Sequence, residues 1–99
     1  MLPPQVIVVE NAWLAKIAAL KMGSQRVAMV VGRRIYLWGV TKADFLEQSA
    51  WVKHELAHVA QYQRYGVVKF LFLYVFEWIK NGYYNNRFEI EARAAEQVP

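Results

Sequence analysis

The stretch of sequence from residue 51 to residue 61 reads WVKHELAHVAQ, and it decides how the rest of the chain is interpreted. Its apolar residues Val52, Leu56 and Val59 recur at intervals of four and three, as they do along one face of an amphipathic helix. The same stretch contains both histidines of the chain, four residues apart. We therefore expect a helix here that carries the functional chemistry.

Signals for the two ends of this helix lie on either side of it. Thr41 is a favourable N-cap residue, and Asp44 occupies the position of the acid in a capping box. Gly66 is a typical stop signal. The sequence thus predicts a single helix that follows Thr41 and continues to about Tyr65.

A shorter helix is predicted nearer the N-terminus. Asn11 is a plausible N-cap, and the helix should run from Ala12 to about Met22 and stop at Gly23. Its expected buried stripe consists of Trp13, Leu14, Ile17 and Leu20.

Between these helices lies a predicted β-hairpin. Val27–Val31 and Ile35–Trp38 are rich in β-branched and aromatic residues, and Gly32-Arg33-Arg34 joins them. The earlier run Val6–Val9 fits either a first strand or an extended lead-in.

Two more helices are predicted after the motif. One runs from about Val67 to Lys80, and the other is capped by Asn85 or Asn86 and reaches about Gln97. The order is then helix, hairpin, long helix and two further helices. This is an α+β layout, with helices packed on a small antiparallel sheet.

Composition limits the size and kind of protein. The 99 residues suffice for one domain, 1–99, and 57% of them are hydrophobic, which is ample for a single core. Because there is no cysteine, disulfides and thiolate metal sites are excluded, and metal ligands must come from His, Asp or Glu. The net charge of +4 comes from scattered residues without a basic block, so no nucleic-acid partner is expected.

Signals for targeting or membrane insertion are weak. The N-terminus lacks a basic region followed by an apolar stretch, so no signal peptide is expected and a cytoplasmic protein is favoured. The most apolar run, Val67–Ile79, contains Lys69 and Glu77 and is too short to span a bilayer. We interpret it as a buried or interface helix in preference to a membrane-surface helix.

The main functional signal is His54-Glu55-Leu56-Ala57-His58. Two histidines four residues apart lie on one face of a helix, so both imidazoles can reach one tetrahedral ion such as Zn²⁺. Glu55 lies beside such an ion, where it can act as the general base that takes a proton from water. The alternative is a surface helix with two solvated histidines.

A catalytic zinc site needs a third protein ligand, which here must be a carboxylate. A helical wheel of the last helix places Glu91 on the apolar face with Phe88 and Ala95, which makes Glu91 the preferred ligand. Glu89 lies on the other side of the wheel and is the less favoured ligand; it also fits a pair with Arg93 or a capping-box acid. Glu91 in turn also fits an acid at the edge of the core, paired with Arg or Tyr.

Three further residues are candidates around the ion. Gln61 lies one turn beyond His58 and fits a group that orients a ligand or lines a pocket. Tyr83 and Tyr84 precede the last helix, and each hydroxyl fits a donor to an oxyanion as well as a packing role. The aromatic residues of the preceding helix are interpreted as core.

These motifs resemble those of the gluzincins, zinc metallopeptidases that combine HExxH with a glutamate on a later helix. The chain looks most like minimal bacterial members, which are short domains with HExxHxxQ and a downstream Glu-x-Glu-Ala. Here those motifs are residues 54–61 and residues 89–92, and the similarity extends over about half of the chain, from Trp51 to Glu96.

The resemblance implies a zincin-like domain with a defined set of site residues. His54 and His58 would bind zinc together with Glu91 or Glu89, and Glu55 would be the general base. A peptide or protein substrate would pair with the edge of the hairpin.

One position departs from this resemblance. Many gluzincins have an Asp or Asn four residues after the ligand glutamate, which orients a histidine; here that position is Ala95 or Arg93. The orienting group must come from elsewhere. The lack of a second lobe also suggests dependence on a partner chain or a homo-oligomer.

Three functional hypotheses stay open at this point. The first is zinc-dependent peptide hydrolysis. The second is a non-catalytic zinc-binding or peptide-binding module of the same fold. The third is a helical interaction module without a metal, whose Val67–Ile79 helix docks on a membrane or a partner chain.

Overall fold

The computed structural model describes residues 2–99, which form a three-stranded sheet and five helices. The strands are β1 (Ile7–Val9), β2 (Val27–Val31) and β3 (Arg34–Trp38). The helices are α1 (Trp13–Met22), α2 (Lys42–Leu46), α3 (Ser49–Tyr65), α4 (Val67–Asn81) and α5 (Arg87–Ala95). The predicted α+β class is confirmed.

The sheet contains the predicted hairpin and one additional strand. Val31 pairs with Arg34 across β2 and β3, so the turn consists of Gly32 and Arg33. Gly32 has a φ of +64°, which a two-residue hairpin turn favours and which glycine adopts without strain. β1 pairs in parallel with β3, so the N-terminal run is a strand and the sheet is mixed. The strand order β1-β3-β2 places β2 at one edge of the sheet.

Helices cover both faces of the sheet, because successive side chains of a strand point to opposite sides. Ile35 and Leu37 of β3 point to the side covered by α2–α5, whereas Tyr36 and Trp38 point to the side covered by α1. The first side contains the larger core, which includes Phe45, Phe70 and Phe88. Each such residue contributes about 1.5–3 kcal/mol on burial, so this side supplies most of the apolar stabilisation.

α1 packs through a different face from the predicted one. Its buried residues are Ala15 and Ala19, because small side chains let the helix lie close to the sheet. The predicted stripe is exposed instead: Trp13, Leu14, Ile17 and Leu20. Asn11 is not the N-cap either. It has a φ of +53°, and Ala12 takes the cap position with its N–H donating to the carbonyl of Leu37 at 2.9 Å.

The continuous helix predicted from Thr41 to Tyr65 is in fact two helices. Thr41 caps α2 as expected, but Gln48 leaves the helical conformation, with φ −96° and ψ 83°. The break turns Phe45 into the core, where the ring of Trp51 packs edge-on at 5.1 Å. No Gly or Pro marks this break in the sequence, which is why the prediction was wrong.

Of the two alternatives predicted for α4, a buried helix or an interface helix, the structure contradicts the first. Phe70 is buried, but Phe72, Phe76 and Trp78 are exposed, so only part of the aromatic run belongs to the core. Within residues 2–99, no helix combines the length and the hydropathy needed to cross a bilayer.

Candidate metal centre

α3 and α5 together bring three metal-binding side chains to one point. These are His54, His58 and Glu89, and one ligand atom from each lies within 4.8 Å of the other two. Nε2 of His54 is 3.0 Å from Oε1 of Glu89, and Nε2 of His58 is 3.3 Å from the same oxygen. The cluster could therefore hold a metal ion.

The position of Glu89 depends on a buried asparagine at the start of α5. Oδ1 of Asn86 accepts from the N–H of Phe88 at 2.9 Å, and its Nδ2 donates to the carbonyl of Tyr74 in α4 at 3.1 Å. Of the two predicted caps, Asn86 is the one observed. Asn86 thus joins the first turn of α5 to α4 by hydrogen bonds. At its other end, α5 stops at Ala95 rather than at the predicted Gln97.

Glu89, and not the preferred Glu91, lies at the histidines. Glu89 is 3% exposed, whereas the Glu91 side chain is 51% exposed. Glu91 accepts a hydrogen bond from Nε2 of Gln61 at 2.7 Å and lies 3.8 Å from Arg64, which matches its alternative role at the edge of the core. The wheel misplaced the two acids because it counted only apolar residues, whereas histidine partners make burial of the Glu89 carboxylate favourable.

Each histidine is held at Nδ1 by a second group. Nδ1 of His54 is 2.7 Å from Oε2 of Glu96, and Nδ1 of His58 is 2.9 Å from Oε1 of Gln61. The Gln61 amide has a fixed orientation, because its Nε2 donates to the carbonyl of Phe88 at 3.1 Å as well as to Glu91. Its oxygen is thus left to accept, and Nδ1 of His58 carries the proton.

This proton arrangement fits a cation between the two rings and the carboxylate. With Nδ1 protonated, a neutral imidazole directs the lone pair of Nε2 at the lone pairs of Glu89, which is repulsive. Either a second proton on each ring or a metal ion must lie between these atoms. Two imidazole nitrogens and one carboxylate oxygen are a donor set suited to a divalent transition metal.

Without a metal, the charges of this cluster depend strongly on one another. Burial alone would lower the pKa of His54, but hydrogen bonds to Glu89 and Glu96 and the nearby charge of Glu55 raise that pKa to about 9. The pKa of His58 is raised for similar reasons against the same effect of burial. Burial would raise the pKa of Glu89, but hydrogen bonds from both histidines hold it well below its usual range.

An open cleft of about 1100 Å³ borders the cluster. Glu55 and His54 of α3 line it, together with Tyr83 and Glu96 and with residues of β2 and the loop before it. Burial raises the pKa of Glu55 to about 7, although the charges of His58 and His54 oppose the shift. A carboxyl group with a pKa near neutrality is well suited to accept and return a proton.

The candidate tyrosines lie in different places. Tyr83 lines the cleft, where burial and then the charges of Glu89 and Glu55 raise its pKa to about 12, so its hydroxyl stays a proton donor. Tyr84 lies apart from the cleft, with the guanidinium of Arg93 3.9 Å from its ring centroid.

Sequence reasoning missed two residues that contact the cluster. The hydroxyl of Tyr74 donates to Oε2 of Glu89 at 2.5 Å, and burial and the Glu89 carboxylate both raise its pKa. Glu96 holds His54, as described above. Its position seven residues after Glu89, two helical turns along the same side, is a signal that predicts this contact. Tyr74 has no comparable signal, because an interior tyrosine most often packs.

The class of the protein is defined by its fold and its site alone. No model of a known protein family matches the sequence, and no curated protein or solved structure matches it significantly. The chain is a small α+β domain with a candidate His-His-Glu metal centre beside an open cleft.

Proposed function

We propose that the protein is a zinc-dependent metallopeptidase of the gluzincin type. The observation that carries the proposal is the convergence of His54, His58 and Glu89 on one point beside a cleft that Glu55 also lines. Two imidazoles and one carboxylate form a donor set used by catalytic zinc in metallopeptidases, where the remaining position is open. Zinc bound there would supply Lewis-acid polarisation of a peptide carbonyl and would make water more acidic.

The other catalytic and positioning roles belong to residues of this chain. Glu55, which lines the cleft beside the two histidines, takes the proton from the attacking water and returns it to the leaving amine. Tyr83 donates its hydroxyl hydrogen bond to the developing oxyanion on the cleft side. Glu96 and Gln61 hold the imidazole rings in the tautomer that presents Nε2 to the ion.

The edge strand supports a peptide as the substrate. Gln25, Arg26 and Ala28 line the same cleft as Glu55, so the start of β2 runs along its rim. β2 is at the edge of the sheet, where an extended peptide can add as a further strand through backbone hydrogen bonds. A peptide paired there would lie in the cleft that the proposed base also lines.

The decisive experiment compares Glu55→Gln with the wild type in zinc-loaded form. We expect the variant to keep its zinc and to lose hydrolysis of a fluorogenic peptide library by at least about 100-fold. Glu47→Gln is the matched control, since Glu47 is an exposed glutamate outside the cleft lining. Zinc-loaded wild type that cleaves no member of the library would contradict the proposal, and so would an active Glu55→Gln variant.

A non-catalytic zinc-binding or peptide-binding module is the second candidate. One property of the cleft favours this candidate. The cleft is open to solvent and all its lining residues come from one small domain, so no second lobe encloses a bound peptide. In this case Glu55→Gln would bind zinc and peptides as tightly as the wild type, and neither protein would cleave them.

A further inference from the structure

α4 presents an apolar face that no other part of residues 2–99 covers. Phe70 is buried and Tyr74 is half-buried, so this side of the helix faces the interior. The opposite side carries side chains that are mostly solvent-exposed, up to 75% for Phe72 and 82% for Ile79. The exposed apolar residues of α4 are Val67, Val68, Leu71, Phe72, Val75, Phe76, Trp78 and Ile79.

These residues form one continuous surface. At 100° per residue, Val68, Phe72, Val75 and Ile79 lie within about 60° of one another, directly opposite Phe70. Together the eight side chains expose on the order of 600 Å² or more, which exceeds the largest apolar patch of a typical monomer. A surface of this size marks a binding site.

The charges around the surface are basic. Lys69 and Lys80, near the two ends of α4, share one flank of the helix and are exposed. The one acid of α4, Glu77, accepts a hydrogen bond from the backbone N–H of Arg87 at 3.2 Å and lies 3.7 Å from its guanidinium. The negative charge of Glu77 is therefore paired with Arg87, so it does not offset the positive charges of the two lysines.

The hairpin turn adds further positive charge at the start of α4. A Cβ placed on Gly32 would lie 3.5 Å from Cγ2 of Val67, so the turn lies against the first residue of the helix. Arg33 and Arg34, which follow Gly32, are exposed. The apolar surface thus has a basic border at both ends of the helix.

We propose that α4 docks the protein on an anionic lipid surface. The apolar face would enter the boundary of the acyl chains, Lys69 and Lys80 would reach the headgroups, and Trp78 would lie at the interface. Charge distinguishes this occupant from a second copy of the chain, because a copy would bring the same basic border against itself. The proposal needs no metal and is independent of the proposed peptidase activity.

The test is co-sedimentation of the metal-free 99-residue chain with lipid vesicles. We expect binding to phosphatidylcholine vesicles containing phosphatidylglycerol, weak binding to pure phosphatidylcholine, and loss of binding as salt is raised. Phe72→Ser combined with Ile79→Ser should lower the partition constant at least about tenfold. Lys80→Gln should lower it about fivefold.

The control variants lie on α1, on the other side of the sheet. Leu20→Ser removes a side chain of similar exposure, 74%, and Lys21→Gln removes an exposed lysine; both should bind vesicles like the wild type. Circular dichroism verifies that each variant is folded. Equal binding to both kinds of vesicle, no binding to either, or an unaffected Phe72→Ser/Ile79→Ser variant would overturn the proposal. A dimer that requires Phe72 and Ile79, without vesicle binding, would assign the face to a second copy instead.

Discussion

Oε2 of Glu96 lies 2.7 Å from Nδ1 of His54, while Nε2 of the same ring is directed at Glu89. The imidazole is therefore held between two carboxylates, one from the first turn of α5 and one just after the end of α5. Because Glu96 accepts the proton of Nδ1, it fixes the tautomer that offers Nε2 to a metal ion. The residue four positions after Glu89 is Arg93, which has no acceptor for an imidazole N–H. In this chain Glu96 supplies the orienting contact instead.

Removal of this contact should weaken metal binding without unfolding the protein. We expect Glu96→Ala to lower zinc affinity about 10- to 100-fold, because the ring loses its orienting acceptor. Glu96→Gln keeps an acceptor oxygen and should recover part of the loss. Competition with a chromogenic zinc chelator measures the affinities, and Glu47→Gln serves as the control. Equal affinities for Glu96→Ala and the wild type would show that the contact is incidental.

Gln61 should matter for stability as well as for the site. It is 1% exposed and joins His58 to the carbonyl of Phe88. Gln61→Ala leaves Nδ1 of His58 buried without a partner and removes an additional hydrogen bond of the Phe88 carbonyl, which should lower the free energy of unfolding by about 1–3 kcal/mol. Gln63→Ala, an exposed change on the same helix, should be nearly neutral. Urea denaturation gives both values, and equal values for the two variants would contradict the buried network.

The pH dependence of stability should change direction when zinc binds. Without zinc, the raised pKa values of His54, about 9, and Glu55, about 7, mean that protonation stabilises the folded state. The His54 contribution is full below its ordinary pKa of 6.5 and disappears as the pH rises through about 9. The lowered pKa of Glu89 acts in the opposite sense, since its contribution is lost as the pH falls below 4.5. Metal-free protein should therefore lose stability from mildly acidic to alkaline pH.

Zinc should reverse this trend, because it binds the deprotonated rings. The increase in Tm caused by zinc is expected to grow as the pH rises from about 6 to about 8. Thermal melts in chelator and in zinc across this range provide the measurement. Stability of the metal-free protein that rises steadily with pH would be incompatible with the protonated His-Glu cluster.

The parts of the fold that sequence could predict are those with a strong local pattern. The motif helix has regular apolar spacing and a clear stop at Gly66, and α3 ends at the expected Tyr65. The hairpin has a glycine at the turn, and its two strands lie where β-branched and aromatic residues predict them. In these segments, local conformational preference and burial agree.

The sequence-based predictions are wrong where tertiary contacts override the local sequence pattern. α1 buries alanines because they fit closely on the sheet, although its larger side chains are more hydrophobic. The helix breaks at Gln48, which no local residue pattern marks, and Phe45 just before the break is buried in the core. A helical wheel of α5 alone favours Glu91 over Glu89, because the burial of Glu89 depends on two histidines from another helix, which the wheel does not include.

The most direct test of the metal centre is a calorimetric zinc titration of the metal-free wild type, Glu89→Gln and Glu91→Gln. The two substitutions are chemically identical and lie two residues apart on the same helix. We expect one zinc ion per chain for the wild type and for Glu91→Gln, and an affinity lowered by more than about 100-fold in Glu89→Gln. A wild type that binds no zinc, or a Glu89→Gln variant that binds it as tightly as Glu91→Gln does, would contradict a centre formed by His54, His58 and Glu89.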